Sequence, residues 1–326
     1  MYTLRAETAV ASGDPVDITM VGAGPVGLYG MYSAGLHGLT ARVFDRLPVE
    51  GGQLAALYPE KQIYDVAGFP RVTAAQLVER LSRQADAFGH DYHLGEELTG
   101  LIRNPDEDGW WVETPRGRYA TRRVVVTAGI GQFSPRRLPV PALDAAEGRG
   151  VHYVVGPLKN FEGRRVMVVG GGNSAADWAL NVRDRAERVA VVHRRGDLQC
   201  HRESMRQILR PGAFDLYWHQ TLVGVRMEDD RVAAAHLRDV NTGADHWVPT
   251  DDIIVAIGLV SDLGPLAHLG LELQGGEVPV KSTGESDLPG VYAAGDIATY
   301  PGKVKLIATG FGEVATAVYH AAASLR

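Results

Sequence analysis

Two glycine-rich turns constrain this chain more than any other feature, because each follows a short apolar strand and opens a run of small and apolar residues. Asp17-Ile-Thr-Met-Val21 reads as a buried strand, Gly22-Ala-Gly-Pro-Val-Gly27 as its turn, and residues 28–36 as a helix. Residues 41–44 read as the next strand, which ends at Asp45. A second copy of this plan starts at Arg165-Val-Met-Val-Val169 and turns through Gly170-Gly-Gly172-Asn-Ser-Ala175. It continues as a helix to Val182, and its next strand is at residues 189–192. The turns lie much further apart than any solenoid period, so the pattern is a duplicated domain and not a repeat array.

The fold class that follows is α/β, with two Rossmann-like three-layer nucleotide-binding domains, one inserted in the other. Trp110 to Thr114 and residues 118–126 read as a hairpin leading into a strand that ends at Thr127-Ala-Gly129, and residues 251–257 repeat that ending at Gly258. Polar junctions near these two strands put the first domain at 1–121 and 249–326 and the inserted domain at 122–248.

The chemistry of the turns distinguishes them. Gly22 permits the tight turn, Gly24 lets a pyrophosphate approach the backbone and Gly27 lets helix pack on strand, with Pro25 counted among the cofactor-binding residues of the turn. The phosphate then meets unpaired N–H groups at a helix N-terminus. Asp45 stands roughly twenty residues beyond the first glycine, at the strand end where an acid accepts a ribose hydroxyl and repels a 2′-phosphate. The second turn offers Gly170, Gly172, Asn173 and Ser174, but its strand ends in His193-Arg194-Arg195. Guanidinium groups there suit a 2′-phosphate through charge-assisted bidentate bonds, so this site is expected to prefer NADPH to NADH and the first is expected to take FAD.

Near the C-terminus Val291-Tyr-Ala-Ala-Gly-Asp296 reads as a buried strand stopping at a turn that presents one carboxylate, suited to a ribityl hydroxyl of FAD. Residues 307–323 read as a small-residue helix whose positive end would stabilise an anionic reduced flavin.

With these motifs in place the chain resembles the ferredoxin–NADP reductases of the thioredoxin-reductase-like type. The resemblance is carried by Glu50-Gly-Gly-Gln-Leu54, Leu57-Tyr-Pro-Glu-Lys61, Tyr64-Asp-Val-Ala-Gly-Phe-Pro70, Gly302-Lys-Val-Lys-Leu-Ile-Ala308 and Gly310-Phe-Gly-Glu313. It implies that Asp45 holds the adenosine ribose, Gln53 contacts the flavin side, Tyr58 stacks on the isoalloxazine, and Phe133 and Asp296 are further FAD contacts. It also implies hydride transfer from NADPH to FAD, single-electron delivery to ferredoxin or flavodoxin, and a homodimer. Relatives of this type often continue past the last helix with a tail over the flavin, whereas this chain stops at Arg326. The second flavin face is therefore expected to be more open, or covered by another subunit.

Thioredoxin reductases are similar in fold but carry a Cys-x-x-Cys before the second turn, where this chain reads Tyr153-Val-Val-Gly156. Its one cysteine, Cys200, cannot form a dithiol, so thiol–disulfide exchange is not expected.

Composition excludes several other classes. The 326 residues are 45% hydrophobic and 22% charged with a net charge of -6, which suits a globular protein and not a nucleic-acid binder. The 11 histidines show no paired metal-ligand spacing, so no metal is expected. No run approaches a membrane span and residues 1–17 lack a targeting pattern, so the expected location is the cytoplasm. His201-Arg-Glu203 with Arg206 to Arg210, and a group of Arg136, Arg137, Lys159, Arg164 and Arg165, are candidate surfaces for an acidic carrier. Three alternatives remain: a flavin monooxygenase or oxidase, faintly suggested by Gly148-x-x-x-His152; another dithiol-free NADPH reductase; and a non-enzymatic NADPH-sensing module.

Overall fold

The computed structural model describes residues 15–105 and 108–326; most of the N-terminal stretch read for targeting lies outside them. The chain forms two units, one of residues up to 59, 63–132 and 261–326, the other of 60–62 and 133–260.

The first unit is built on a seven-stranded sheet. Val16–Val21 lies between Ala41–Asp45 and Gly117–Val126, parallel to both, with Asp91–Leu94 beyond Ala41–Asp45. Val291–Ala293 is parallel to the last residues of Gly117–Val126, whose first residues pair antiparallel with Trp110–Thr114. Toward their carboxyl ends the central strands are apolar on both faces, as Met20 and Val21, Val43 and Phe44, and Val124 to Val126 are all buried. Helices Pro25–Leu36 and Ile307–Ala323 pack on each other through small residues: a Cβ on Gly30 would lie 2.8 Å from Val314. Helix Ala74–Ala85 begins with a capping box formed by Thr73 and Gln76.

The second unit has a fully parallel five-stranded sheet in the order Val151–His152, Asp252–Val255, Arg165–Val169, Arg188–His193, Asp215–Trp218. An antiparallel meander of Gln220–Glu228, Arg231–Asp239 and Asp245–Pro249 packs its apolar residues with those of this sheet.

The boundaries drawn from sequence, 121/122 and 248/249, need correction. The first cuts through strand Gly117–Val126, which belongs whole to the first sheet. The second assigns Asp252–Val255 to the first domain, yet this strand lies between Val151–His152 and Arg165–Val169 in the second sheet. The crossings fall at 132/133 and 260/261. Local composition marks turns, but membership of a sheet is decided by partners far away in sequence.

Beyond the Asp45 strand end, Glu96 is buried and accepts from Thr114 Oγ1 at 2.5 Å and Tyr119 OH at 3.0 Å, with the His93 ring 3.0 Å away. Burial alone would raise its pKa, but the bonds from Thr114, His93 and Tyr119 outweigh burial and hold the carboxyl below the ordinary range. A depressed folded pKa means stability that is present above the unfolded value and lost as pH falls through the folded one. Glu96→Gln should therefore cost about 2 kcal/mol at neutral pH. In urea titrations the gap to the unaltered protein should close as pH drops below the ordinary glutamate value of 4.5. A gap independent of pH would contradict this.

Candidate nucleotide-binding sites

Strand register gathers the first site. Val21 is opposite both Phe44 and Val126, and Val126 is opposite Ala293, so Gly22, Asp45, Thr127 and Gly295 all emerge at one carboxyl edge. Ligands of open α/β sheets sit at such edges. Gly22 has φ +112°, and a Cβ there would strike the Thr127 carbonyl. A Cβ on Gly27 would run into the Gly22 carbonyl oxygen, so only glycine lets the helix approach this closely. Gly24 is different, since nothing lies within 4 Å of the place its Cβ would take. That open space lies at the N-cap of helix Pro25–Leu36, whose first residue has no N–H. Thr127 Oγ1 ties the turn to the sheet by donating to the Gly22 carbonyl at 2.8 Å.

Asp45 completes this end of the site. Its carboxylate accepts the Ala23 N–H at 2.7 Å and the Leu47 N–H at 2.8 Å. Burial nevertheless raises its pKa, against the pull of those N–H groups and of Arg46. A hydroxyl donor at the remaining lone pairs would offset that desolvation. The Gly51 N–H donates to the Ala23 carbonyl at 2.9 Å, which pins the loop carrying Gln53 against the turn. Gln53 opens helix Gln53–Leu57 with its amide beside Gly129, and Tyr58 ends that helix half-buried against the cluster of Leu54, Ile63 and Leu77.

Asp296 lies in a short 3-10 turn, Gly295–Ile297, after strand Val291–Ala293. Gly295 has φ +79° and packs on Val26 in the first turn of helix Pro25–Leu36, which brings Asp296 to the same edge as the glycine turn. Burial raises the Asp296 pKa against the pull of Lys305 and Lys303, and no hydrogen bond satisfies its carboxyl among the described residues. Phe133 is not brought to this edge by the first unit; it is the first residue of the second unit after the crossing.

The second site repeats the geometry with altered chemistry. Val169 is opposite Val192 and Val255, so Gly170, His193 and Ala256 share a carboxyl edge. Gly170 has φ +149°, and its Cβ would strike the Ala256 carbonyl. Gly172 caps helix Asn173–Arg183 and, like Gly24, faces open space. The His193 ring fills the place a Gly171 side chain would occupy, and its Nε2 is buried without a hydrogen-bond partner among the described residues. Burial, then Arg195 and Arg194, lower the pKa of His193 and favour a neutral ring. Arg194 and Arg195 are exposed, and so is Ser174. Asn173 Oδ1 accepts the His201 N–H at 2.9 Å, which ties the segment at His201 to the first turn of this helix. The segment after the arginines is fastened to the turn by the Gln199 N–H, which donates to the Gly171 carbonyl at 2.7 Å.

The model of the pyridine nucleotide-disulphide oxidoreductase family matches residues 16–321. The chain belongs to the pyridine nucleotide-disulphide oxidoreductase family. Within it, the chain is 44% identical over 310 residues to the ferredoxin–NADP reductase of Symbiobacterium thermophilum, covering 94% of this chain and 92% of that protein. It is 43% identical over 316 residues to the ferredoxin–NADP reductase of Thermus thermophilus, covering 96% and 93%. Among solved structures, T. acidophilum thioredoxin reductase superposes with a TM-score of 0.81 at 22% identity, covering 96% of this chain and 99% of that one. Lactococcus lactis thioredoxin reductase gives 0.79 at 20% identity, covering 94% and 97%. At that identity the likeness shows the fold, two Rossmann-type domains.

For a pyridine nucleotide-disulphide oxidoreductase the remaining candidates are largely spoken for. Arg137 pairs with Asp144 and Glu147, Arg164 with Asp252, and Arg165 with Asp251, so three of the five cations proposed as a carrier surface already have partners. Arg206 pairs with Glu203. The His152 ring is held by buried Asp252 at 2.8 Å, a structural role for the residue that had suggested a monooxygenase. Sequence reasoning missed Thr127 and the contacts of Glu313; a lone threonine after a strand carries no signal of the carbonyl it will reach. A cavity of about 650 Å³ lined by Tyr300, Thr309, Glu313 and Thr316 includes neither Asp296 nor a residue of either glycine turn. Among the described residues no helix is long and apolar enough to cross a membrane.

Proposed function

We propose that this chain is a ferredoxin–NADP reductase that takes hydride from NADPH onto FAD and passes electrons singly to ferredoxin, with flavodoxin as a second acceptor. The observation that carries the reading is a difference between two matching turns: a carboxylate, Asp45, ends the strand beside one, and Arg194 and Arg195 follow the strand beside the other. The near-full-length relatives bearing that name support it.

The residues of the first site fit FAD, since Gly24 leaves room for a pyrophosphate and the Asp296 carboxyl has no donor among the described residues. Bound FAD would supply the conversion of a two-electron hydride into single electrons that no side chain can perform. The chain itself binds and orients. The Val26 and Gly27 N–H groups and the dipole of helix Pro25–Leu36 receive pyrophosphate. Asp45 takes the ribose, Gln53 the flavin side, Tyr58 the ring face and Asp296 the ribityl chain. Phe133 is retained as a FAD contact on the family resemblance. At the second site Gly170 and Gly172 shape the turn, the N–H groups of Asn173 and Ser174 receive pyrophosphate, His193 fills the space over Gly171, and Arg194 and Arg195 hold the 2′-phosphate. No acid, base or nucleophile is required, because orientation and electrostatics are the protein's contribution.

The cysteine count separates this reading from disulfide reduction. Cys200 is the one cysteine, and burial together with the Asp177 charge pushes its thiol pKa up, the opposite of an activated thiol. We extend the proposal to a homodimer in the cytoplasm on the resemblance. The test is NADPH-dependent cytochrome c reduction with and without ferredoxin. A rate that climbs and saturates with added ferredoxin is expected; no stimulation removes ferredoxin as acceptor. A flavin that NADPH fails to bleach points to a sensor, and an adduct formed in air after reduction points to a monooxygenase.

A further inference from the structure

The turn that presents Asp296 is held by a buried ion pair from the segment that follows it. Glu313 Oε2 accepts the Gly295 N–H at 2.8 Å, while the Lys303 ammonium donates to the Gly295 carbonyl at 2.9 Å and to both oxygens of Glu313. Both backbone polar groups of one residue are therefore clamped by one charge pair. Tyr300 OH donates to Glu313 Oε1 at 2.6 Å, and this bond pushes the phenol pKa up to about 12, so Tyr300 remains a donor. The Lys303 and Glu313 side chains are only 7% and 13% exposed. Burying two charges is costly, and hydrophobic residues often serve stability equally well, so the pair calls for a reason beyond packing.

The neighbouring geometry supplies that reason. Gly295 packs on Val26 from one side, and Gly310 of the terminal helix approaches its Cα. The residue is fixed against the first turn of helix Pro25–Leu36, and Asp296 is bonded directly to it. Its carboxyl has no hydrogen bond of its own to set its direction among the described residues, so the direction is inherited from Gly295. The charges that face it are Lys303, Lys305, Glu313 and Glu277, with Lys305 paired to Glu277.

We propose that Lys303 and Glu313 are positioning residues that aim the Asp296 carboxylate at the ribityl chain of FAD by clamping both backbone groups of Gly295. The proposal rests on the reading of the first site as an FAD site. A pair that merely staples the fold would weaken every property of the unit alike; a pair that acts through Asp296 matters to FAD only while Asp296 is present.

The experiment is a double-mutant cycle on FAD binding to the apoprotein, read by flavin fluorescence and by the shape of the flavin visible band. Asp296→Ala and Lys303→Met should each weaken FAD by about tenfold, the scale of one charge-assisted hydrogen bond. In the Asp296→Ala background, Lys303→Met should change Kd by less than about twofold and leave the band unaltered, because the sites are coupled. Lys303→Arg, which keeps the cation, should recover most of the loss. Should Lys303→Met fail to fold by apoprotein melting, Glu313→Gln, which keeps an acceptor for Gly295, takes its place in the cycle. Equal weakening with and without Asp296 overturns the proposal, as does tight binding by Lys303→Met where Asp296→Ala binds poorly. If Asp296→Ala itself binds FAD normally, the assignment of Asp296 to FAD has failed and the proposal falls with it.

Discussion

Gly24→Ala is expected to leave the stability of the apoprotein within about 0.5 kcal/mol of the unaltered chain while weakening FAD by about tenfold or more. The residue has an ordinary φ of -69°, so alanine adopts its backbone without strain, and no atom lies within 4 Å of the new methyl group. The methyl would stand where a pyrophosphate must approach the backbone. Gly27→Ala makes the opposite expectation. Its methyl would run into the Gly22 carbonyl oxygen and crowd Thr127 Oγ1, and neither neighbour can retreat without moving the helix off the strand. Overpacking of this kind should cost about 3 kcal/mol or more, with FAD lost through the fold and not through the ligand. Thermal melts of the apoproteins and FAD titrations distinguish the two. Gly24→Ala that binds FAD as tightly as the unaltered protein would remove this turn as the pyrophosphate seat.

The double substitution Arg194→Ala with Arg195→Ala should raise the KM for NADPH by about 100-fold, roughly tenfold for each charge-assisted bond lost. For NADH, which has no 2′-phosphate, the change should stay within about threefold. Both side chains are exposed, so part of the effect should be screened by salt, and the NADPH preference of the unaltered protein should itself fall as ionic strength rises. Steady-state kinetics with both nucleotides at two salt concentrations read all of this. Parallel losses for NADPH and NADH would show that the arginines hold the local fold and do not read the 2′-phosphate.

Local sequence was enough to place the main strands and helices and to name the candidate residues of both turns. Apolar runs bounded by glycine placed the strands at Val16–Val21, Arg165–Val169 and Val291–Ala293 to within a residue or two, and small-residue periodicity placed helix Ile307–Ala323. These are local matters, decided by φ requirements at Gly22 and Gly170 and by which faces must be buried. The charge difference between Asp45 and Arg194-Arg195 was likewise plain, because a strand end in a parallel sheet has only one edge to face. Tertiary structure decided what depends on partners distant in the chain. Strands Gly117–Val126 and Asp252–Val255 joined sheets that moved both domain boundaries. The Asn173 side chain went to His201, and Arg137, Arg164 and Arg165 found acids of their own unit. Lys303 and Glu313, which the sequence offered only as parts of two family-like loops, closed on the backbone of Gly295. A hydrogen bond or ion pair reaches only a few ångströms, and spacing along a chain cannot say which side chains that distance will join.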